Sequence, residues 1–461
     1  MALQRTLSPI DGSVVVERPY AEPGEVAATF ARARTASKAW RAVPLAERIA
    51  ACARMVDAFV ADADAIALEL TTMMGRPIRY TKGEVRGFEE RARTMMALAD
   101  GALAPLEIPE KAGFVRRIAR EPLGVVFAIA PWNYPYLTAV NTVVPAIVAG
   151  NAVVLKHSPQ TPLAAERILA AFRAAGLPDG VFQVLHLTHE ATRAAVATAD
   201  LDFVSFTGSV EGGRAIERAA AGRVVGVGLE LGGKDPAYVR ADADLAHAVE
   251  SLVDGAMFNS GQSCCGIERI YVHASQFDAF VEGAASLART YVLGDPRDPA
   301  TTLGPLVSPA AASFVRGQID EAIARGARGH VDESAFPASA RGTAYLAPQI
   351  LTGVHHQMRL MTEESFGPVV GVMPVADDEE AVRMMNDSAF GLTACVYTRS
   401  LDAAERLGAS LETGTVFMNR CDYLDPELAW TGVKLSGRGC TLSRYGFHQL
   451  TRPKSYHLKL A

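Results

Sequence analysis

The chain has 461 residues, of which 49% are hydrophobic and 21% charged, and carries a net charge of −6. That length exceeds one ordinary core and predicts two or three domains, and the composition excludes a disordered or fibrous protein. Acids and bases are interspersed with no basic patch, which excludes nucleic acid as the main partner, and the longest apolar stretch, Thr142 to Gly150, is too short to span a bilayer.

The opening MALQRTLSPIDGS carries no secretory core. Six cysteines without a spacing framework predict free thiols in a reducing compartment, so a cytoplasmic protein is expected. The first hundred residues read as helices. Pro23-Gly24-Glu25 opens one, with Val26, Phe30 and Ala31 at helical spacing; a second runs from Leu45 towards Ile66, and a third covers Glu84 to Asp100. Gly113 to Arg120 alternates like a strand and predicts an arm.

From Gly124 short β-branched runs (Val125–Ile129, Val153–Leu155, Val181–Val184, Phe203–Phe206, Val224–Val227) alternate with alanine-rich helical stretches (Leu163–Ala175, Ala191–Ala197, Arg214–Ala221). The fold class is therefore α/β, with parallel sheets covered on both faces. A second alternation runs from about Ala237 to Asn419 and includes Arg269–Val272, a helix over Phe277–Tyr291, Val369–Val375, Glu379–Met385 and Cys395–Tyr397. The tail Lys454 to Leu460 reads as a strand, and an uncovered terminal strand is a liability. Pairing with another subunit is expected, through the Gly113–Arg120 arm; an edge strand within the same chain is the alternative. His355-His356 reads as loop surface.

Phe258-Asn259-Ser260-Gly261-Gln262-Ser263-Cys264-Cys265 sets a thiol after a Gly-Gln bend. No second Cys/His pair stands at zinc spacing, so no metal site is expected, and a disulfide between neighbours is disfavoured. A catalytic thiol at Cys264 remains, and it needs an exposed, activated position. Glu230, ending a buried strand, is the candidate base, since burial raises a carboxylate pKa; a paired structural glutamate is the alternative. Asn133, in Pro131-Trp132-Asn133-Tyr134-Pro135 after a strand, is placed to donate to an oxyanion, or is a plain turn asparagine. Gly208 and Ser209 open a helix where N–H groups can hold a pyrophosphate oxygen. Gly228 to Lys234 imitates a phosphate loop, but Asp235-Pro236 replaces the Ser/Thr that would hold magnesium, and that reading is rejected.

Together these segments resemble the aldehyde dehydrogenase superfamily over essentially the whole chain. The resemblance implies Cys264 as nucleophile, Glu230 as general base and Asn133 as oxyanion donor. It implies cofactor contacts from Trp132, Lys156, Ser158, Gly208, Ser209, Leu231, Glu364 and Phe366. It further implies an NAD(P)-binding domain over 1–112 and 124–233, a catalytic domain over 234–425, and an oligomerisation arm over 113–123 and 440–461, joining homodimers or homotetramers. The expected reaction is oxidation of an aldehyde to the acid with NAD+, or NADP+, through a thiohemiacetal and a thioester. Retention of Glu230 favours hydrolysis over transfer to coenzyme A, and retention of all three residues disfavours a catalytically silent relative.

Two departures bear on specificity. Pro159 stands where NAD-preferring members carry a ribose-binding glutamate, which keeps NADP+ open. The substrate wall is expected from Tyr134, Leu137, Thr138, Asn141, Ser263, Cys265 and the loop Arg420 to Leu424. Semialdehyde-oxidising relatives often place an arginine near Asn141; its absence here weighs against a dicarboxylic semialdehyde, with Arg420 as the residue that could substitute. Tyr134 and Tyr423 otherwise suit an aromatic or medium aliphatic aldehyde.

Overall fold

Runs of valine and isoleucine become strands covered on both sides, and in Val125–Ala130 every residue is buried. In the computed structural model, which describes residues 2–460, this strand lies inside a six-stranded sheet. The order is Gly437–Arg438, Gly226–Glu230, Phe203–Thr207, Val125–Ala130, Ala152–His157, Phe182–Val184, all parallel except the first. The chain steps outward from Val125–Ala130 on one side, then returns on its other side at Phe203–Thr207. Connections from these neighbouring strands leave in opposite directions and open a crevice at their carboxyl ends. Trp132, Asn133, Gly208 and Ser209 all follow those ends.

The strand expected at Val224–Val227 forms two residues later, at Gly226–Glu230, and Val224 is exposed. Pairing with Phe203–Thr207 sets this register, matching Thr207 to Glu230 and leaving the carboxylate at the strand's end. A second, seven-stranded sheet begins at Asp235–Val239 and is parallel apart from the short edge Arg328–Gly329. Between the first sheet and the helices Leu45–Ala61 and Ile78–Leu103 lies Pro135–Ala149, buried almost all round.

Three expectations need correction in the first part of the chain. A hairpin, Leu3–Leu7 with Val14–Pro19, precedes the helices. Its inward residues in the first strand are polar: Thr6 Oγ1 donates to the Pro159 carbonyl at 2.7 Å and Gln4 Nε2 at 3.4 Å, while Leu3 and Leu7 are exposed. Apolar periodicity cannot reveal a strand of that kind. The expected helix from Leu45 is two, Leu45–Ala61 and Ala63–Met74, broken at Asp62, whose carboxylate accepts from Arg167. The third helix is longer than expected and spans Ile78–Leu103.

The tail strand Thr451–Lys459 pairs antiparallel along one edge with Phe114–Pro122 of its own chain. Helix Ser443–Gln449 causes this, since Phe447 and Leu450 are buried in the first core and deliver Thr451 beside Pro122. Within 440–460 the helix Ser443–Gln449 therefore precedes the strand Thr451–Lys459. His356 is not bare surface: its ring bonds Asp387 at 2.6 Å and the Tyr271 hydroxyl at 2.8 Å. Among the described residues no helix is long and apolar enough to cross a membrane, and no group of three or more His, Cys, Asp or Glu gathers to hold a metal ion.

Candidate active site

The nucleophile segment is held in an uncommon backbone shape. Asn259, Ser260 and Gly261 have φ of 54°, 56° and 72°, three consecutive residues in the left-handed region. Such conformations cost on the order of 1–3 kcal/mol each for non-glycine residues and persist only where neighbours over-determine them. Here they do. Asn259 Nδ2 donates to the carbonyls of Asn133 at 3.3 Å and Gln262 at 3.1 Å, and its Oδ1 accepts from Arg76 Nε at 3.0 Å. Gln262 Nε2 returns to the Asn259 carbonyl at 3.0 Å, and Ser260 Oγ donates to the Gly304 carbonyl at 2.8 Å.

Arg76 and Glu84, both buried, form an ion pair, and Arg76 also donates to the Asn133 carbonyl. Glu84 Oε1 accepts from the Tyr136 amide at 2.8 Å. One buried pair therefore locks the Asn133 turn, helix Ile78–Leu103 and the cysteine segment together. Asn133 Nδ2 donates to the Gln262 carbonyl at 3.2 Å. A primary amide has two N–H bonds, so one is left without a partner among the described residues, and the Cys264 backbone N–H likewise has no acceptor among them. Sequence reasoning missed Arg76, Glu84, Asn259 and Gln262, because their pairing joins residues far apart in the chain.

Cys264 is half-buried and lines a cavity of about 490 Å³ that Glu230, Leu231, Tyr134, Leu137, Asn141, Ser263, Cys265 and Tyr423 also line. Gly233 permits the approach of strand and nucleophile: a Cβ there would meet the Cys264 carbonyl at 2.3 Å. Burial pushes Glu230 above the usual carboxylate range, opposed by hydrogen bonds from the Thr441 and Thr207 hydroxyls, the latter at 3.1 Å, and by Arg91. Cys265 is buried and donates to Asp422 Oδ1 at 2.9 Å, and Ser263 Oγ donates to the same atom at 3.0 Å. The neighbouring Cys264 sulfur and burial hold Cys265 well up as a thiol, and burial raises Asp422 to about 6. Both adjacent cysteines line the cavity, but Cys264 is half-buried with no bonded partner among the described residues, whereas Cys265 is buried and its thiol is engaged by Asp422.

Arg420 departs from expectation. It is exposed, lies 3.5 Å over the Tyr423 ring and does not line the cavity. The cationic lining comes instead from Arg76, Arg86 and Arg91, on or just before helix Ile78–Leu103. Their spacing, read within one helix, signals only an amphipathic face.

The cofactor candidates gather along the carboxyl edge of the first sheet. Trp132 and Phe366 meet edge-to-face with centroids 5.7 Å apart. Glu364 accepts from the Gly233 amide at 3.0 Å, and burial raises it to about 8. Ser209 caps helix Val210–Ala220 by accepting from the Gly212 amide at 3.2 Å. The Gly208 N–H is not free for a phosphate, because it donates to the Glu230 carbonyl at 3.0 Å. Lys156, ending Ala152–His157 one residue before its close, is buried without a hydrogen-bond partner among the described residues, and burial lowers it to about 8. Ser158 follows it, half-buried. An orphaned buried ammonium, an unneutralised buried carboxylate and an aromatic pair fit the ribose hydroxyls, phosphates and ring of a nicotinamide dinucleotide.

Comparison with known proteins agrees with this arrangement. The aldehyde dehydrogenase family pattern matches residues 2–456. A 3,6-anhydro-alpha-L-galactose dehydrogenase of Streptomyces coelicolor is 35% identical, over 99% of this chain and 93% of its own. A succinate-semialdehyde dehydrogenase (NADP+) of Deinococcus radiodurans is 35% identical, over 97% of this chain and 93% of its own. Among solved structures, the succinic semialdehyde dehydrogenase of Streptococcus pyogenes with NADP+ superposes with a TM-score of 0.94 at 29% identity, covering 99% of either chain. PnpE with nicotinamide adenine dinucleotide gives 0.94 at 31% identity, covering 100% of this chain and 94% of that one. A match that begins in the first hairpin and ends within the arm leaves neither sheet outside it, and this chain belongs to the aldehyde dehydrogenase family as an NAD(P)+-dependent, aldehyde-oxidising enzyme.

Proposed function

We propose that Cys264, Asn133 and Glu230 carry out the oxidation and hydrolysis, with NADP+ the preferred cofactor. The Cys264 sulfur bonds to the aldehyde carbon. The resulting oxyanion is held by the free N–H of the Asn133 amide and the Cys264 backbone N–H. A nicotinamide dinucleotide held by Lys156, Ser158, Glu364, Trp132 and Phe366 would supply the hydride acceptor, and loss of hydride from the adduct would leave a thioester on Cys264. Glu230, steadied by Thr207 and Thr441, then takes a proton from water, whose oxygen attacks the thioester carbon; the acid leaves and the thiolate returns. The sum is aldehyde, water and NADP+ to carboxylic acid, NADPH and one proton.

The observation that supports this reading best is the bond from Asn133 Nδ2 to the Gln262 carbonyl, two residues before Cys264, on a cavity that Glu230 also lines. The NADP+ preference draws on Pro159, which sets no carboxylate against a 2′-phosphate near Lys156 and Ser158, and on relatives named for NADP+. The six free cysteines suit a cytoplasmic setting, and the outer edge of Thr451–Lys459, without a strand neighbour among the described residues, suits pairing between subunits. The names of relatives bring two substrate classes to consider, a carboxylated semialdehyde and an anhydro-sugar aldehyde.

The test is NAD(P)H formation with an aldehyde panel, with and without coenzyme A. Cys264→Ala should form none while still binding cofactor. Glu230→Gln should accumulate an acyl adduct visible by mass spectrometry. The hydrolytic rate of the unaltered enzyme should rise with pH as the raised Glu230 ionises, and that limb should vanish in Glu230→Gln. Strict dependence on coenzyme A would overturn the hydrolytic role.

A further inference from the structure

Helix Ile78–Leu103 turns one stripe to the cavity: Gly83, Arg86, Gly87, Glu90 and Arg91. Gly87 brings the helix close, since a Cβ there would lie 2.6 Å from Leu137 Cδ2. Arg91 is only 8% exposed. Its Nη1 donates to the Leu137 carbonyl at 2.7 Å and to Asn141 Oδ1 at 3.2 Å. Its Nε and Nη2 have no acceptor among the described residues, yet they are not among the buried polar atoms sealed from solvent. In a residue so deeply placed and lining the cavity, those donors open onto the cavity itself.

The other two arginines differ. The Arg76 donors are taken by Asn259, Glu84 and the Asn133 carbonyl, and its guanidinium lies 4.5 Å over the Tyr134 ring. Arg86 is exposed at the mouth. No carboxylate lies within ion-pair distance of Arg91 among the described residues; Glu84 is committed to Arg76 and Asp422 to Cys265 and Ser263. A buried guanidinium without a counter-ion is unfavourable by itself. Its free Nε–Nη2 edge is the fork that matches a carboxylate in bidentate fashion.

We propose that Arg91 is the specificity-determining residue of this cavity, positioned by Asn141 and the Leu137 carbonyl to take the distal carboxylate of an aldehyde-acid. The arginine absent at position 141 is supplied from the neighbouring helix, with Asn141 as its support. This inference rests on the reading of Cys264 as nucleophile in the same cavity and adds the substrate class to it.

The experiment compares kcat/KM for succinate semialdehyde, butanal and glyceraldehyde at saturating NADP+ in the unaltered enzyme, Arg91→Met and Arg91→Lys. The unaltered enzyme should favour the semialdehyde over both neutral aldehydes by about tenfold or more, the usual reach of a hydrogen-bonded charge. Arg91→Met should erase that preference by raising the semialdehyde KM by about the same factor, well beyond any change it makes in the KM for butanal. Arg91→Lys, which keeps the charge without the fork, should fall between. Equal losses on semialdehyde and butanal, an unmoved semialdehyde KM, or a preference for either neutral aldehyde would overturn the proposal. If Arg91→Met does not fold, Arg91→Lys decides, and a semialdehyde preference equal to that of the unaltered enzyme overturns it. Butanal turnover without preference sinks this inference alone, whereas no NADPH from any aldehyde sinks the nucleophile assignment together with it.

Discussion

The polar groups beneath Cys264 and those along the cofactor edge are differently partnered, although Lys156 is as buried as the first set and Glu364 half-buried. Beneath the cysteine, Arg76, Glu84, Asn259 and Gln262 bond one another and the Asn133 carbonyl. Along the edge, Lys156 has no partner and Glu364 holds a single amide, and burial displaces each towards its neutral form. The first region is finished by the protein alone, as a site that must hold a reacting carbonyl to within fractions of an ångström requires. The second is left incomplete, and its unmet donors and acceptors are what a ligand can satisfy. Rigidity and vacancy are thus divided between two adjoining faces.

Substitution can break that contrast, and the largest effect is expected at Arg76. Arg76→Met strands Glu84 as an unpaired buried charge, a loss of about 3–5 kcal/mol. Chemical denaturation should show it as a lowered midpoint, with activity lost at temperatures where the parent is active. Asn133→Ala is expected to leave the fold standing, since Arg76 and Asn259 bond its main-chain carbonyl and not its amide. It should slow kcat by about 10²–10³, the usual effect of losing one oxyanion donor, as measured by pre-steady-state NADPH release.

Lys156→Met should do the reverse of Arg76→Met, with the smallest change. Cofactor binding should weaken by about tenfold for NADP+, read from its KM, while stability at neutral pH is kept or improved. The sign follows from linkage: the folded-state value is about 8 against 10.5 for a free lysine. Between those values the unfolded chain binds the proton and the folded one does not, so stability of the parent rises with pH across that window. Lys156→Met should flatten that rise in denaturation curves taken at several pH values, and kcat/KM for NADP+ in the parent should fall as pH passes 8.

Much of this arrangement is legible in the chain itself. The strands near Val125 and Val153 read correctly because residues covered on both faces must be apolar, and Trp132-Asn133 and Phe206 to Ser209 follow strand ends as parallel topology demands. Glu230 ends the strand Gly226–Glu230, where it is half-buried. What stayed hidden has common physical causes. The hairpin Leu3–Leu7 turns Gln4 and Thr6 inward, which inverts the usual pattern. The break at Asp62 carries no proline or glycine. Arg76 with Asn133 and Asn259, and Arg91 with Asn141, join residues whose proximity only the packed chain creates. Arg420 drew attention by its loop, yet a neighbouring tyrosine ring holds it outside.

Thr441, which bonds Glu230, stands between the edge strand Gly437–Arg438 and helix Ser443–Gln449, and so emerges late during synthesis. A nascent polypeptide that has already extruded Asn133, Glu230 and Cys264 still lacks the hydroxyl that steadies its carboxylate. The Glu230 carboxylate is therefore steadied only once the segment that follows Gly437–Arg438 has packed along strand Gly226–Glu230.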